Sequence, residues 1–118
     1  MTNKSFLTAS QIRYLITLKK LHTVHGMKSS EIAKELNLSK PSIHNMMDTF
    51  LFMGYIEKER GGRVFLTAYG LQQAAFFEDY YKKIKDRLFS NESPDDTAEK
   101  AIYAFLAELS DESLAMLV

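Results

Sequence analysis

The sequence predicts a mainly α-helical protein with one small β-hairpin. Three observations predict it. Apolar residues recur at helical spacing in three successive segments before Gly54. The period then shifts to the alternation of two short strands around Arg60-Gly61-Gly62. A long aromatic-rich helical pattern follows from Thr67 onward. Helix, helix, helix, hairpin is the order of a winged helix-turn-helix, here followed by C-terminal helices suited to dimerisation. The expected domains are residues 1–70 as the winged helix and 71–118 as the helical dimerisation region.

Each element has a local cause. Met1 to Leu7 reads as a loose arm. Thr8 and Gln11 stand at capping-box spacing, and Ile12, Leu15, Ile16, Leu18 and Leu21 form the apolar stripe of the first helix, with Gly26 as its expected C-cap. Ser29 and Ser30 precede the short amphipathic segment Glu31–Leu36, and Glu31 suits the positive end of that helix. After the turn Asn37-Leu38-Ser39, Ser39 caps a third helix with Pro41 in its first turn, where the missing N–H costs little. Its expected buried stripe is Ile43, Met46, Met47, Phe50 and Leu51, ending at Gly54.

Strands are expected over Tyr55–Glu59 and Arg63–Thr67. Thr67 can cap a fourth helix running to about Ser90. Its stripe is Leu71, Ala74, Phe77, Tyr81, Ile84 and Leu88, with Phe76 and Tyr80 as a second apolar patch. A stripe this wide suggests burial against a second chain. The expected homodimer interface is therefore Leu71, Phe76, Phe77, Tyr80, Tyr81, Ile84, Leu88 and Phe105. Ser93-Pro94-Asp95-Asp96 reads as the start of a fifth helix carrying Ala98, Ala101, Ile102, Phe105, Leu106 and Leu109. Ser110-Asp111-Glu112 begins a short sixth helix.

Composition narrows the function. A hydrophobic fraction of 46% is enough to build a core and argues against global disorder. The absence of cysteine removes disulfides and thiolate metal sites. No leader or apolar run of membrane-spanning length is visible, so the expectation is a cytoplasmic protein without a membrane partner. The formal net charge of zero conceals a division. Through Gly70 there are ten Lys/Arg against five Asp/Glu; beyond it, five against ten. A basic lobe of this kind suits phosphate contact.

The second helix of a helix-turn-helix reads base edges from the major groove. With Ile43, Met46, Met47 and Phe50 buried, the opposite face holds Pro41, Ser42, Asn45, Asp48 and Thr49, flanked by His44. Asn45 has the donor and acceptor needed to read adenine, and Ser42 or Thr49 can bond a base or phosphate. Ser39 and Lys40 fall where the duplex backbone should pass. Lys58, Arg60 and Arg63 surround the Gly-Gly tip and offer phosphate contacts, which supply affinity and salt dependence rather than specificity. The expected partner is double-stranded DNA.

Ser30-Glu31-Ile32-Ala33 through Leu38-Ser39-Lys40-Pro41-Ser42-Ile43, Gly54-Tyr55-Ile56 and Leu66-Thr67-Ala68-Tyr69-Gly70 resemble the iron-dependent repressor family, which includes the diphtheria toxin repressor and manganese-dependent regulators. The resemblance implies a homodimer on a palindrome, with Ser39, Pro41, Ser42 and Asn45 contacting DNA. It also implies a divalent metal held between the first helix and the later ones. Here the implied ligand positions fall on Ile12, Leu15, Tyr81, Lys85, Glu99, Tyr103, Leu106 and Ala107, among which only Glu99 suits a hard cation. The expectation is thus a regulator, repressor-like in action, with no metal and no cofactor. The multiple antibiotic resistance regulators carry similar elements, usually with more helix ahead of the helix-turn-helix. They supply the alternative of a winged helix that senses a small ligand, and a protein-interaction adaptor is a third reading.

Other residues invite chemistry less strongly. His22 and His25, expected at the end of the first helix, lack a third ligand and suit the negative end of its dipole. No nucleophile–base pair or phosphate loop appears, so no enzymatic activity is expected. Phe76, Phe77, Tyr80 and Tyr81 could line a ligand pocket, but core or interface is the simpler use of such aromatics.

Overall fold

The computed structural model describes residues 7–89 and 94–117. In order these form α1 (Ala9–Leu21), α2 (Ser29–Leu36), α3 (Lys40–Phe52), β1 (Ile56–Lys58), β2 (Val64–Leu66), α4 (Ala68–Phe89), α5 (Asp96–Glu108) and α6 (Asp111–Leu117). This is a winged helix-turn-helix followed by further helices.

The capping box ahead of α1 forms as its spacing requires. The Thr8 N–H donates to Gln11 Oε1 at 3.0 Å, and the Gln11 N–H donates to Thr8 Oγ1 at 3.1 Å. Leu7, expected in a loose arm, is buried, as is Ile12. These two positions flank the box as a hydrophobic staple does. α1 stops at Leu21 rather than at Gly26. A turn intervenes, in which Thr23 Oγ1 donates to the Gly26 carbonyl and accepts the His25 N–H. Gly26 does adopt a positive φ of 81°, and a Cβ there would run into the Phe65 ring. His22 and His25 consequently lie beyond the helix, not on its last turn.

The turn prepares a strand contact that the sequence reading did not anticipate. Met27 pairs with Val64 in an antiparallel bridge, with N–H to carbonyl distances of 2.8 and 2.9 Å in the two directions. β1 and β2 pair with Ile56 opposite Leu66 and Lys58 opposite Val64, each shorter than predicted. Three residues a strand suffice because Ile56, Val64 and Leu66 are the apolar positions that reach the core.

α2 begins at Ser29, where the Lys28 N–H donates to Glu31 Oε1 at 3.0 Å. It ends at Asn37 in the left-handed conformation, with the Leu38 N–H bonded to the Ala33 carbonyl. Asparagine tolerates that conformation better than most side chains, so the turn into α3 is tight. α3 buries Ile43, Met46, Met47 and Phe50, each worth roughly 1.5–3 kcal/mol of transfer free energy. Leu51, expected in this stripe, is exposed.

The Leu66-Thr67-x-x-Gly70 segment has a physical explanation. Leu66 is buried. Thr67 Oγ1 accepts the Gly70 N–H at 3.0 Å, capping α4, and donates to the Gly54 carbonyl at 2.6 Å. Gly70 must lack a side chain because a Cβ would collide with the Tyr55 carbonyl. One threonine thereby pins the start of α4 to the root of β1.

α5 is capped by Asp95, whose carboxylate accepts the Ala98 N–H at 2.8 Å. The expected cap, Ser93, lies outside the described residues, and Pro94 precedes the cap rather than opening the helix. Ser110 caps α6, accepting the Ser113 N–H at 3.1 Å.

The chain forms two compact units, Tyr14–Ala74 and a second comprising Met1–Arg13 with Ala75–Val118. The expected boundary after Gly70 thus differs on two counts. The first four residues beyond it group with the winged helix, and the chain up to Arg13 groups with the C-terminal helices. No helix among the described residues is long and apolar enough to cross a membrane.

Candidate nucleic-acid interface

Ser39 begins the candidate reading element. Its Oγ accepts the Ser42 N–H at 3.3 Å and lies 3.0 Å from Ser42 Oγ. Because the four buried residues of α3 occupy one side, the other side is presented outward. Ser39, Lys40, Pro41, Ser42, His44, Asn45 and Asp48 are exposed, and Thr49 is half-buried. Successive helical residues turn by 100°, so Pro41, Asn45 and Phe52 fall on one line. Phe52, which the sequence reading passed over, is 93% exposed. Its seven-residue spacing from Asn45 was the available signal. The surface is polar toward the helix N-terminus and apolar at its far end, so it can offer hydrogen bonds and a contact for a thymine methyl.

The hairpin, whose first strand packs against α3, supplies cations. Gly61 and Gly62 have φ of 93° and 87° with open space around them, so conformation, not crowding, selects glycine there. The Gly62 N–H donates to the Glu59 carbonyl at 3.0 Å and closes the tip. Lys58 and Arg60 are exposed. Arg63, expected alongside them, is half-buried and lines a 250 Å³ hollow with Lys28, His25 and Glu31 at the turn before α2. Within Tyr14–Ala74 there are eight Lys/Arg and five Asp/Glu, a net charge of +3.

The C-terminal helices depart from the expected interface. Phe77 and Ile84 are fully buried within the chain itself, so neither is available to a partner. Leu71, Phe76, Tyr80 and Tyr81 are half-buried. Phe76 packs edge-to-face on both Phe77 and Tyr80, at 5.3 and 5.1 Å. Leu88 at 44%, Phe105 at 37% and Met116 at 87% are the large apolar side chains exposed in this unit's described residues.

The residues at the implied metal positions do not fit a divalent cation. Ile12, Leu15 and Leu106 are buried and apolar, and the Tyr81 and Tyr103 rings pack at 5.2 Å. Burial, then the charge of Glu99, raises the Tyr81 phenol above its ordinary value. Burial also raises Tyr103, with Tyr81 and Glu99 adding to the shift and Arg13 opposing it. Neutral phenols are poor ligands for hard cations, which leaves Glu99 as the single carboxylate. Among the described residues no group of three His, Asp or Glu is placed to hold a metal.

Against known proteins, the MarR family model matches residues 7–61, just under half of the chain and nearly all of it in the winged helix. No curated protein matches the chain. Among solved structures, a hypothetical protein from Sulfolobus solfataricus is similar with a TM-score of 0.70 at 21% identity, over 94% of this chain and 86% of that one. IdeR from T. acidophilum is similar with a TM-score of 0.65 at 16% identity, over 97% of this chain and 53% of its own. The chain thus spans about half the length of IdeR. The family pattern points to the second of the two resemblances seen in the sequence, while the structural likeness to IdeR extends along almost the whole chain. Together they show a winged-helix fold, similar over residues 7–61 to the MarR family.

Proposed function

We propose that this protein is a sequence-specific DNA-binding transcriptional regulator, acting as a homodimeric repressor without metal activation. The observation that carries this reading is the outward face of α3, Ser-capped and holding Ser42 and Asn45, beside a glycine-tipped basic wing in a unit of net charge +3. α3 enters the major groove, Asn45 reads a base edge, and Lys58 and Arg60 hold the backbone. The similarity to the MarR family over residues 7–61 supports it. The exposed Leu88, Phe105 and Met116 supply apolar surface for pairing, which would set two reading helices about one DNA turn apart.

The test is selection from a random duplex library, followed by affinity measurement across salt concentrations. A selected site should bind with a steep negative salt slope. Arg60→Ala and Lys58→Ala should each make that slope shallower by about 1. Absence of any enriched sequence, or a slope indifferent to both substitutions, would refute the reading and favour a protein-interaction adaptor. Sedimentation showing a monomer at micromolar concentration would remove the homodimer. The MarR similarity also favours a second reading, in which a small molecule modulates DNA binding.

A further inference from the structure

Two cations are held opposite one another where the turn before α2 meets β2. Met27 and Val64 exchange both backbone hydrogen bonds, at 2.8 and 2.9 Å. In an antiparallel pair of that register the next residues along, Lys28 and Arg63, face each other across the two segments. Met27 and Val64 are buried, and strand alternation places Lys28 and Arg63 on the opposite face. The arrangement is fixed from both ends. The Glu59 N–H donates to the Arg63 carbonyl at 2.9 Å, and a side chain at Gly26 would strike the Phe65 ring.

Like charges set directly opposite across a strand pair destabilise it. Neither cation is neutralised at contact: among the described residues, neither Lys28 nor Arg63 forms an ion pair. Arg63 is moreover half-buried, so part of its hydration is already lost. Both line one hollow of about 250 Å³, together with His25 and a single carboxylate, Glu31. That carboxylate is engaged in the cap of α2, where its Oε1 accepts the Lys28 N–H at 3.0 Å. The same bond occupies the Lys28 amide, so the donors left for a ligand are side chains rather than a helix end. Sites for drug-sized ligands begin at roughly 300 Å³, and a hollow below that size suits one tetrahedral oxyanion. A guanidinium grips such an anion as a fork and an ammonium as a point charge.

We infer that this hollow is a binding site for a phosphate-class oxyanion, held between the Arg63 guanidinium and the Lys28 ammonium, with the His25 ring as a further donor. An anion there cancels the repulsion between the two cations, which a neutral or cationic ligand does not. The phosphate comes from the backbone of a duplex or from a free phosphate monoester. The site lies within Tyr14–Ala74 and uses none of Ser42, Asn45, Lys58 or Arg60, the side chains on which the DNA-binding reading rests.

The experiment is a titration of the full chain with inorganic phosphate, at constant ionic strength with chloride as the balancing anion, followed by NMR of backbone amides and arginine side chains. Saturable shifts centred on Lys28 and Arg63 are expected, with a Kd of about 10 mM or tighter. Arg63→Gln and Lys28→Gln should each weaken binding by about tenfold. Lys28 is exposed, so its glutamine variant tests the site without disturbing the core. Glu31→Gln keeps the capping oxygen and removes the charge, so it should tighten phosphate binding severalfold. Shifts that do not saturate, binding unaltered in both cation variants, or a Glu31→Gln chain that binds no better than wild type each overturn the inference. A random-sequence duplex then separates the two sources. If its backbone fills the hollow, it displaces inorganic phosphate, and Lys28→Gln makes the salt slope shallower by about 1. If a free monoester is the ligand, phosphate still saturates the site in the complex and the slope is unchanged. A chain that binds phosphate but no duplex has the monoester as its ligand, so this inference and the DNA-binding reading fail separately.

Discussion

Replacing Thr67 with valine preserves the shape of the side chain and removes its hydroxyl. Two hydrogen bonds are lost together. The Gly70 N–H, an orphan donor at the start of α4, loses its acceptor at 3.0 Å, and the Gly54 carbonyl loses a donor at 2.6 Å. Losing an N-cap costs about 1 kcal/mol, within a range of roughly 0.5–2. A second hydrogen bond is worth about 1 kcal/mol net. Gly54 is exposed, so water can reach its carbonyl and the second cost falls at the low end. The expected destabilisation is therefore about 2 kcal/mol. For a unit of this size that corresponds to a fall in Tm of roughly 8–16 °C. Urea denaturation at fixed protein concentration measures it, since any oligomer makes the midpoint concentration-dependent. Thr67→Ser retains the oxygen and should recover most of the loss. If the valine variant loses less than about 0.5 kcal/mol, or serine and valine are equally damaging, the hydroxyl is not what joins α4 to the root of the hairpin.

Three other outcomes are expected. Asn45→Ala should flatten discrimination at one base pair of the selected site by about 1–3 kcal/mol while sparing the salt slope, as read by competition with singly altered duplexes. Tyr103 has a folded-state value raised above the ordinary tyrosine value, so the folded protein retains a proton that the unfolded chain releases. The stabilising contribution is complete below pH ~10 and is lost as pH rises beyond it; Tyr103→Phe should reduce that alkaline loss in denaturation curves, leaving the share of Tyr81, which is raised as well. EDTA or added Mn²⁺ should change duplex affinity by less than about twofold, because one carboxylate does not make a hard-cation site; a tenfold gain on metal addition, reversed by chelation, would restore the metal-activated mechanism.

Local chemistry in the sequence determined the helix count, the Thr8–Gln11 box, the Ser39 cap, the α2–α3 turn and the polar face of α3. Each depends on residues within about four positions of one another, where caps and periodicity are set by backbone geometry alone. The same reasoning misplaced the end of α1, because the pairing of Met27 with Val64 joins residues 37 apart. It read Phe77, Ile84, Leu88 and Phe105 as one interface, since periodicity marks an apolar stripe without saying how much of it the chain covers itself. Packing decided that Phe77 and Ile84 are core while Leu88 and Phe105 remain outside. Likewise Ser10, Arg13 and Lys100 carry no signal in the sequence, and Glu99 stands there only as a lone carboxylate. Only folding brings the start of α1 to the first turns of α5, and with it two cations and two carboxylates to one cleft.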